Sequence, residues 1–323
     1  MTQGGEPGQN RPQPIVLEDF MARYVTVSSI SHRPEVPIED MEGRLERAAA
    51  LATRAARMGA DIVAFPEIYP HLGAPAEQWR ELAEIIPGPP TSRMAEVARE
   101  QGIYLIWPLV QREGDRLYNS SVLLDRKGQV AGIYHKMFPT IGEIEAGITP
   151  GTEAPVFTTD FGRIGMAICF DLNFRPIMEG LGRGGAEIIF FSSMYRGGLQ
   201  LRCWAHELGV YLVAAITGEL GQVVDMSGTV LAEATYEAVC VARINLDRRL
   251  LHMDYNWNKM DAMLEKYGSG VTFQYYTREA KYTIASEMED VTVDDLIREF
   301  ELEEMEHYFL RAMRTREEAL QGR

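Results

Sequence analysis

Three residues able to do covalent chemistry stand where apolar runs give way to polar ones. Cys169 closes the run Gly165-Met166-Ala167-Ile168 and is followed by Phe170-Asp171-Leu172-Asn173-Phe174-Arg175-Pro176. Glu67 follows Asp61-Ile62-Val63-Ala64-Phe65-Pro66, and Lys136 follows Val130-Ala131-Gly132-Ile133-Tyr134-His135. A cysteine at the end of a buried strand is held by the sheet yet presented at its edge, where open α/β folds place their chemistry. A thiol near its reference acidity is mostly protonated at neutral pH, so a nucleophilic cysteine needs a base, a cation, or both. Glu67 offers the base and Lys136 the cation. Lys136 and the backbone N–H of Phe170 can also stabilise the oxyanion that develops when a thiolate attacks a carbonyl carbon. The set predicts acyl transfer, with Glu67 partly desolvated behind Pro66 so that it can take and return protons.

The elements that must position these groups read as alternating strands and helices. A strand over 23–29 precedes an amphipathic helix over 39–58, whose Leu45, Ala48, Ala49, Ala52, Ala55 and Ala56 share a face and which Gly59 stops. A strand over 62–65, helices over 76–86 and 92–101, and a buried strand over 103–110 follow. Two hairpins come next, 119–124 with 129–135 and 156–159 with 163–169, each turning at a glycine. A helix over 176–183, a strand over 187–192, a helix over 199–208 and a strand over 210–216 restore the alternation. A last antiparallel pair spans 223–234 and 238–246, and the core ends near Leu246. Residues 247–323 show an aromatic, polar middle and a charged helix over 293–314, with a broken apolar stripe of Leu296, Phe300, Leu302, Met305, Phe309 and Met313. The organisation this predicts is a loose tail over 1–14, one α/β domain over 15–250, and a C-terminal arm over 251–323 that packs on the core or on a neighbouring subunit.

Composition narrows the partners. The formal net charge of −15 disfavours nonspecific binding to phosphate backbones and anionic membranes. The three cysteines, Cys169, Cys203 and Cys240, contain no CxxC pair and are odd in number, which points to a reducing cytoplasm rather than a disulfide framework. No apolar run approaches membrane-spanning length, and the first 14 residues lack the apolar stretch of a signal peptide. The six histidines show no HxxxH or HExxH spacing, so no metal is expected. Glycines 180, 182, 184 and 185 follow a helix and precede a strand, the reverse of a dinucleotide-binding loop. Cys203 and Cys240 read as core filler.

Phe65-Pro66-Glu67, Tyr134-His135-Lys136 and Ile168-Cys169-Phe170-Asp171 resemble, in order and spacing, the three motifs of the nitrilase superfamily of carbon–nitrogen hydrolases. The resemblance runs from about Tyr24 to Leu246. It implies a four-layer α-β-β-α sandwich of two mixed sheets, a Glu67-Lys136-Cys169 triad, a homodimer or larger homo-oligomer, and no metal or organic cofactor. Members carry a second glutamate before a Pro-Gly pair, and Ile144-Glu145-Ala146-Gly147-Ile148-Thr149-Pro150-Gly151 is similar to that segment, which assigns the role to Glu145, with Glu143 as the alternative. Arg202-Cys203-Trp204-Ala205-His206-Glu207 resembles a family helix, although Leu208 stands where asparagine is usual and His135 where arginine is common. The implied activity is hydrolysis of a small amide or N-carbamoyl compound through a thioester. A nitrilase acting on C≡N, an acyltransferase, and a noncatalytic scaffold are the other readings.

Candidate substrate contacts lie beside these strand ends. Arg175 and Arg196 could each fork onto a substrate carboxylate or pair at the surface. Tyr69 and Tyr195 could line the pocket or pack the core, and Asn173 lies in the turn beyond Cys169.

Overall fold

The computed structural model describes residues 23–322, so the tail expected over 1–14 lies outside the described residues. Period-two alternation decides which faces are buried. Ile62 and Ala64 point to one side of their strand and Val63 to the other, and in a later strand Ile188 and Phe190 oppose Ile189 and Phe191. Both faces are apolar, so both must be covered.

In chain order the strands are β1 (Tyr24–Ile30), β2 (Ile62–Ala64), β3 (Tyr104–Glu113), β4 (Arg116–Leu124), β5 (Val130–His135), β6 (Val156–Thr158), β7 (Arg163–Ile168), β8 (Ile188–Ser193), β9 (Tyr211–Ile216), β10 (Gln222–Val224), β11 (Val230–Glu233) and β12 (Val239–Asn245). One sheet runs β12-β1-β2-β3-β4-β5 and the second β11-β10-β9-β8-β7-β6. Each mixes parallel with antiparallel neighbours: β1 pairs β2 and β2 pairs β3 in parallel, as do β7 with β8 and β8 with β9. The sheets meet through Val27, Ile62, Ile106, Met166, Ile168, Phe190 and Val213.

Helices α1 (Met41–Arg57), α2 (Trp79–Leu82) and α3 (Pro89–Gln101) belong to the first half of the chain. Asp40 caps α1 by accepting from the Gly43 N–H, and Gly59, at φ 90°, follows its end. The buried Ala48, Ala52 and Ala55 stripe of α1 and Met94 and Val97 of α3 lie on the outer face of the first sheet. After α4 (Ile141–Glu145), the helices α5 (Arg175–Arg183) and α6 (Gly198–Leu208) cover the second sheet through Ile177, Leu181, Leu201 and Trp204. The result is the expected four-layer α-β-β-α sandwich. Phe190 and Phe191 are worth roughly 2–3 kcal/mol each when buried, so a one-residue slip of β8 would exchange the packing on both faces.

The expected helix over 76–86 stops early. A 3-10 turn at Ala76–Gln78 leads into α2, after which Glu84 leaves the helix to cap the next one, accepting from Gly88 N at 2.6 Å and Thr91 N at 2.9 Å. The C-terminal segment also differs from the arm expected. Strands β13 (Arg248–His252), β14 (Val271–Tyr276) and β15 (Lys281–Ser286) form a third sheet in the order β13-β15-β14. With α7 (Met260–Tyr267) and α8 (Val293–Glu299) it encloses its own core of Leu251, Met263, Tyr282, Ile284, Val293 and Leu296. Asn245 Nδ2 donates to Ser286 O at 2.9 Å, tying this sheet to β12. The charged helix over 293–314 is two helices, α8 and α9 (Met305–Gln321), because Glu301 takes a left-handed φ of 50° between them.

Candidate active site

Four polar side chains converge, three of them beyond the carboxyl ends of β2, β5 and β7 and the fourth, Glu143, from α4. Glu67 lies three residues beyond β2, Lys136 directly follows β5, and both come from the first sheet; Cys169 directly follows β7 in the second. Lys136 Nζ donates to Glu67 Oε1 at 2.7 Å and to Glu143 Oε2 at 2.8 Å. The ammonium side chain is only 1% exposed, and Glu67 is fully buried. Between the two candidate second glutamates, geometry selects Glu143 and corrects the assignment to Glu145: the Glu143 side chain meets Lys136, while Glu145 is exposed at the end of α4. A capping box turns Glu143 inward, with Thr140 N donating to Glu143 Oε2 at 2.7 Å and Glu143 N to Thr140 Oγ1 at 3.3 Å.

Asn119, a polar residue inside the buried strand β4, completes the cluster. Its Nδ2 donates to Glu67 Oε1 at 2.8 Å and to Glu143 Oε1 at 2.7 Å, so both carboxylates share the amide as well as the ammonium. Sequence reasoning does not single out Asn119. Its signal is an amide beside Ser120 and Ser121 in a strand that closes on Val122-Leu123-Leu124, and once buried there it must find partners.

Cys169 sits at φ 49°, a left-handed conformation that a non-glycine residue adopts only when its surroundings enforce it. Asp171 supplies that enforcement. Its carboxylate accepts from Ile168 N at 2.9 Å, Phe138 N at 2.9 Å and Tyr134 Oη at 2.7 Å. Asn173 Nδ2 fastens the same turn to Phe170 O at 3.1 Å. Phe170 is the second residue of the 3-10 turn Cys169–Asn173, a position whose N–H the helix itself leaves unused.

Electrostatics separates the roles open to each group. Burial, with the Glu67 carboxylate beside it, pushes the Cys169 thiol up to about 12, against the opposing pull of Lys136 and Ser193. The resting sulfur is therefore a thiol that needs a base. Burial alone would weaken the Lys136 ammonium, but the charges of Glu67 and Glu143 hold it well above the ordinary lysine range. Glu143, although penalised by burial, is drawn below the usual carboxylate range by Lys136, Asn119 and Thr140. Both members of that pair keep their charge at neutral pH. Glu67 Oε1 takes two donors, whereas buried Glu67 Oε2 has no hydrogen-bond partner among the described residues. Oε2 is thus the oxygen available to a proton.

The remaining sequence candidates divide. Tyr195 is half-buried, and the sulfur of Cys169 lies close enough to help raise its phenol to about 12, after burial. Tyr69 is a correction: Ile68 at φ 42° swings it to the outer face of the sheet, where it is fully buried against Phe65 and Trp107 and meets His32 Nδ1 at 2.8 Å. Arg175 is exposed and pairs with Glu179 and Glu207, and Arg196 is exposed and pairs with Glu219 at 2.7 Å. Cys240 is buried, but Cys203 is exposed on α6 rather than in the core. Among the described residues no group of three metal-ligating side chains forms.

Comparison with known proteins agrees with this arrangement. The carbon–nitrogen hydrolase family profile matches residues 26–249. The chain belongs to that family and is an enzyme of the carbon–nitrogen hydrolase class. It is similar to a deaminated glutathione amidase of Mus musculus, 30% identical over 271 residues that cover 73% of this chain and 83% of the relative. A bifunctional nitrilase/nitrile hydratase, NIT4B, of Lupinus angustifolius is 29% identical over 59% of this chain and 57% of the relative. Among solved structures, an amidase from Nesterenkonia sp. has the same fold, with a TM-score of 0.63 and 22% identity over 75% of this chain and 96% of that one.

Proposed function

We propose that the chain hydrolyses the carbon–nitrogen bond of a small amide or N-carbamoyl compound, with Cys169 as nucleophile. The observation that carries the reading is the buried Lys136 ammonium clamped between Glu67 and Glu143 next to a thiol on a strained turn. Glu67 Oε2 takes the thiol proton as Sγ attacks the carbonyl carbon. Lys136 and the Phe170 N–H stabilise the resulting oxyanion. Collapse expels the amine, or ammonia, which leaves with the proton held by Glu67. Glu67 then deprotonates a water that cleaves the thioester, regenerating the thiol and releasing a carboxylic acid, or a carbamic acid from an N-carbamoyl substrate. Glu143 stays ionised throughout and keeps Lys136 charged and aimed.

The amidase names of relatives support an amide over a nitrile, while the nitrilase relatives keep the nitrile as the alternative to be excluded. Association of copies into a homodimer or larger assembly, a cytoplasmic location, and action on small molecules rather than nucleic acid or membrane complete the proposal. Among the described residues no helix is long and apolar enough to cross a membrane. The test is a panel of matched amides, ureido compounds and nitriles assayed for ammonia release, with trapped enzyme examined by mass spectrometry. An acyl adduct on Cys169 and loss of turnover in folded Cys169→Ala are expected; undiminished turnover in that variant would refute the mechanism.

A further inference from the structure

A concavity lies away from the thiol, and none of Glu67, Lys136, Glu143 or Cys169 lines it. It encloses about 800 Å³ between the segment after β1, the outer side of α1 and the loops around Gly218 and Tyr236. Arg33, Arg47 and Arg54 line it, together with His32, Glu35 and Glu237. Arg54 is spoken for by Glu237, at 2.6 Å. Arg47 is not: its Nε–H reaches His32 Nε2 at 3.5 Å, and among the described residues neither it nor Arg33 forms an ion pair.

His32 is a neutral acceptor in this arrangement. Burial and the Arg47 charge both lower its basicity, against the pull of Glu35. With Nε2 turned toward Arg47, its Nδ1–H points to Tyr69 Oη at 2.8 Å. The ring therefore orients the Arg47 guanidinium without neutralising it, and leaves both Nη groups for another acceptor. Charges on the wall sum to one uncompensated positive in a protein of net charge −15. The floor is apolar, with Leu51, Ala238 and Ala50, where the small alanine one turn from Arg47 leaves room for an occupant. Tyr236 at the rim is fully exposed.

We infer that this cavity is a binding site for a small monocarboxylate with an apolar body, its carboxylate forked by the two Nη groups of Arg47 and its body laid over Ala50 and Leu51. One negative charge balances the wall, and a planar oxygen pair fits a guanidinium edge. A doubly charged phosphate would leave excess charge beside Glu35 and Glu237. The site stands whether or not the hydrolytic reading does, because it shares no residue with the cysteine cluster.

Sodium benzoate titrated into the full chain by calorimetry is the test, with benzyl alcohol and inorganic phosphate as controls. One site with a dissociation constant of about 1 mM or tighter is expected for benzoate. Arg47→Gln should weaken it by about tenfold or more. Ala50→Leu, which fills the floor from an exposed helix position, should weaken it similarly, while Cys169→Ala should leave it unchanged. Absence of saturable binding, equal binding in both cavity variants, or a preference for phosphate over benzoate would overturn the inference.

Discussion

Replacing Glu143 by glutamine removes a charge without removing a shape, and the consequences follow from the donors that surround it. Lys136 Nζ, Asn119 Nδ2 and Thr140 N all point at its two oxygens, at 2.7–3.1 Å. A glutamine keeps one acceptor oxygen and turns an NH₂ group toward donors, so at least one hydrogen bond becomes a donor–donor contact. The buried Lys136 would then depend on Glu67 alone. Breaking a buried ion pair from one side costs about 3–5 kcal/mol, so the urea midpoint of Glu143→Gln should fall accordingly. Part of that loss reaches the rate, because Glu67 must now hold its negative charge against Lys136 instead of accepting a proton. At about 1.4 kcal/mol per tenfold, roughly 3 kcal/mol corresponds to about a hundredfold drop in kcat/KM for ammonia release. Glu145→Gln is the internal control, since its side chain is exposed, and should change stability by less than about 0.5 kcal/mol. Acid titration adds a sign. The folded-state pKa of Glu143 lies below its ordinary value, so its stabilisation is complete above that value and is lost as pH falls through the folded one. Glu143→Gln should therefore flatten the acid limb of the stability curve. An inactive Glu145→Gln beside an active Glu143→Gln would refute this reasoning.

Asn119→Ala should leave both glutamates short of a donor, costing about 1–3 kcal/mol by urea unfolding and lowering kcat more than KM is raised. Tyr69→Phe should lose only the bond to His32, about 0.5–1.5 kcal/mol of stability, with kcat/KM changed by less than about twofold; a large kinetic loss would return Tyr69 to the substrate pocket. Burial raises Asp171 to about 6, so its ionisation opposes folding: stability should fall as pH rises through 6, and that branch should vanish in Asp171→Asn, as followed by thermal melts.

The strand ends that carry Glu67, Lys136 and Cys169 are legible because each closes an apolar run, and the sandwich follows from the same alternation. What stays hidden depends on backbone angles and on pairing at a distance. Glu143 is written locally as Thr140-Ile141-Gly142-Glu143, a capping box whose side chain must curl back toward its own helix start, but nearness to Pro150-Gly151 points to Glu145 instead. Tyr69 follows Glu67 by two residues, which in a continuous strand would give the two side chains one direction; the left-handed Ile68 reverses it. Asn119 needs β4 to be paired with β5 before its amide can be seen between two glutamates. The third sheet escapes sequence reading because β14 exposes Thr272, Gln274 and Tyr275 and so lacks a clean apolar run, and the left-handed Ala280 separates it from β15.

The two sheets divide the chemistry between them, one holding the charges and the other the sulfur. Turnover therefore doubles as a ruler for how the halves of the sandwich are seated. A displacement of about 1 Å between reacting groups can cost on the order of a hundredfold in rate. Substitutions at Ile106, Met166 or Phe190, which pack between the sheets and belong to no part of the charged cluster, should thus extinguish catalysis at temperatures where the fold has yet to melt, and the gap between those two temperatures would measure the play in the seam.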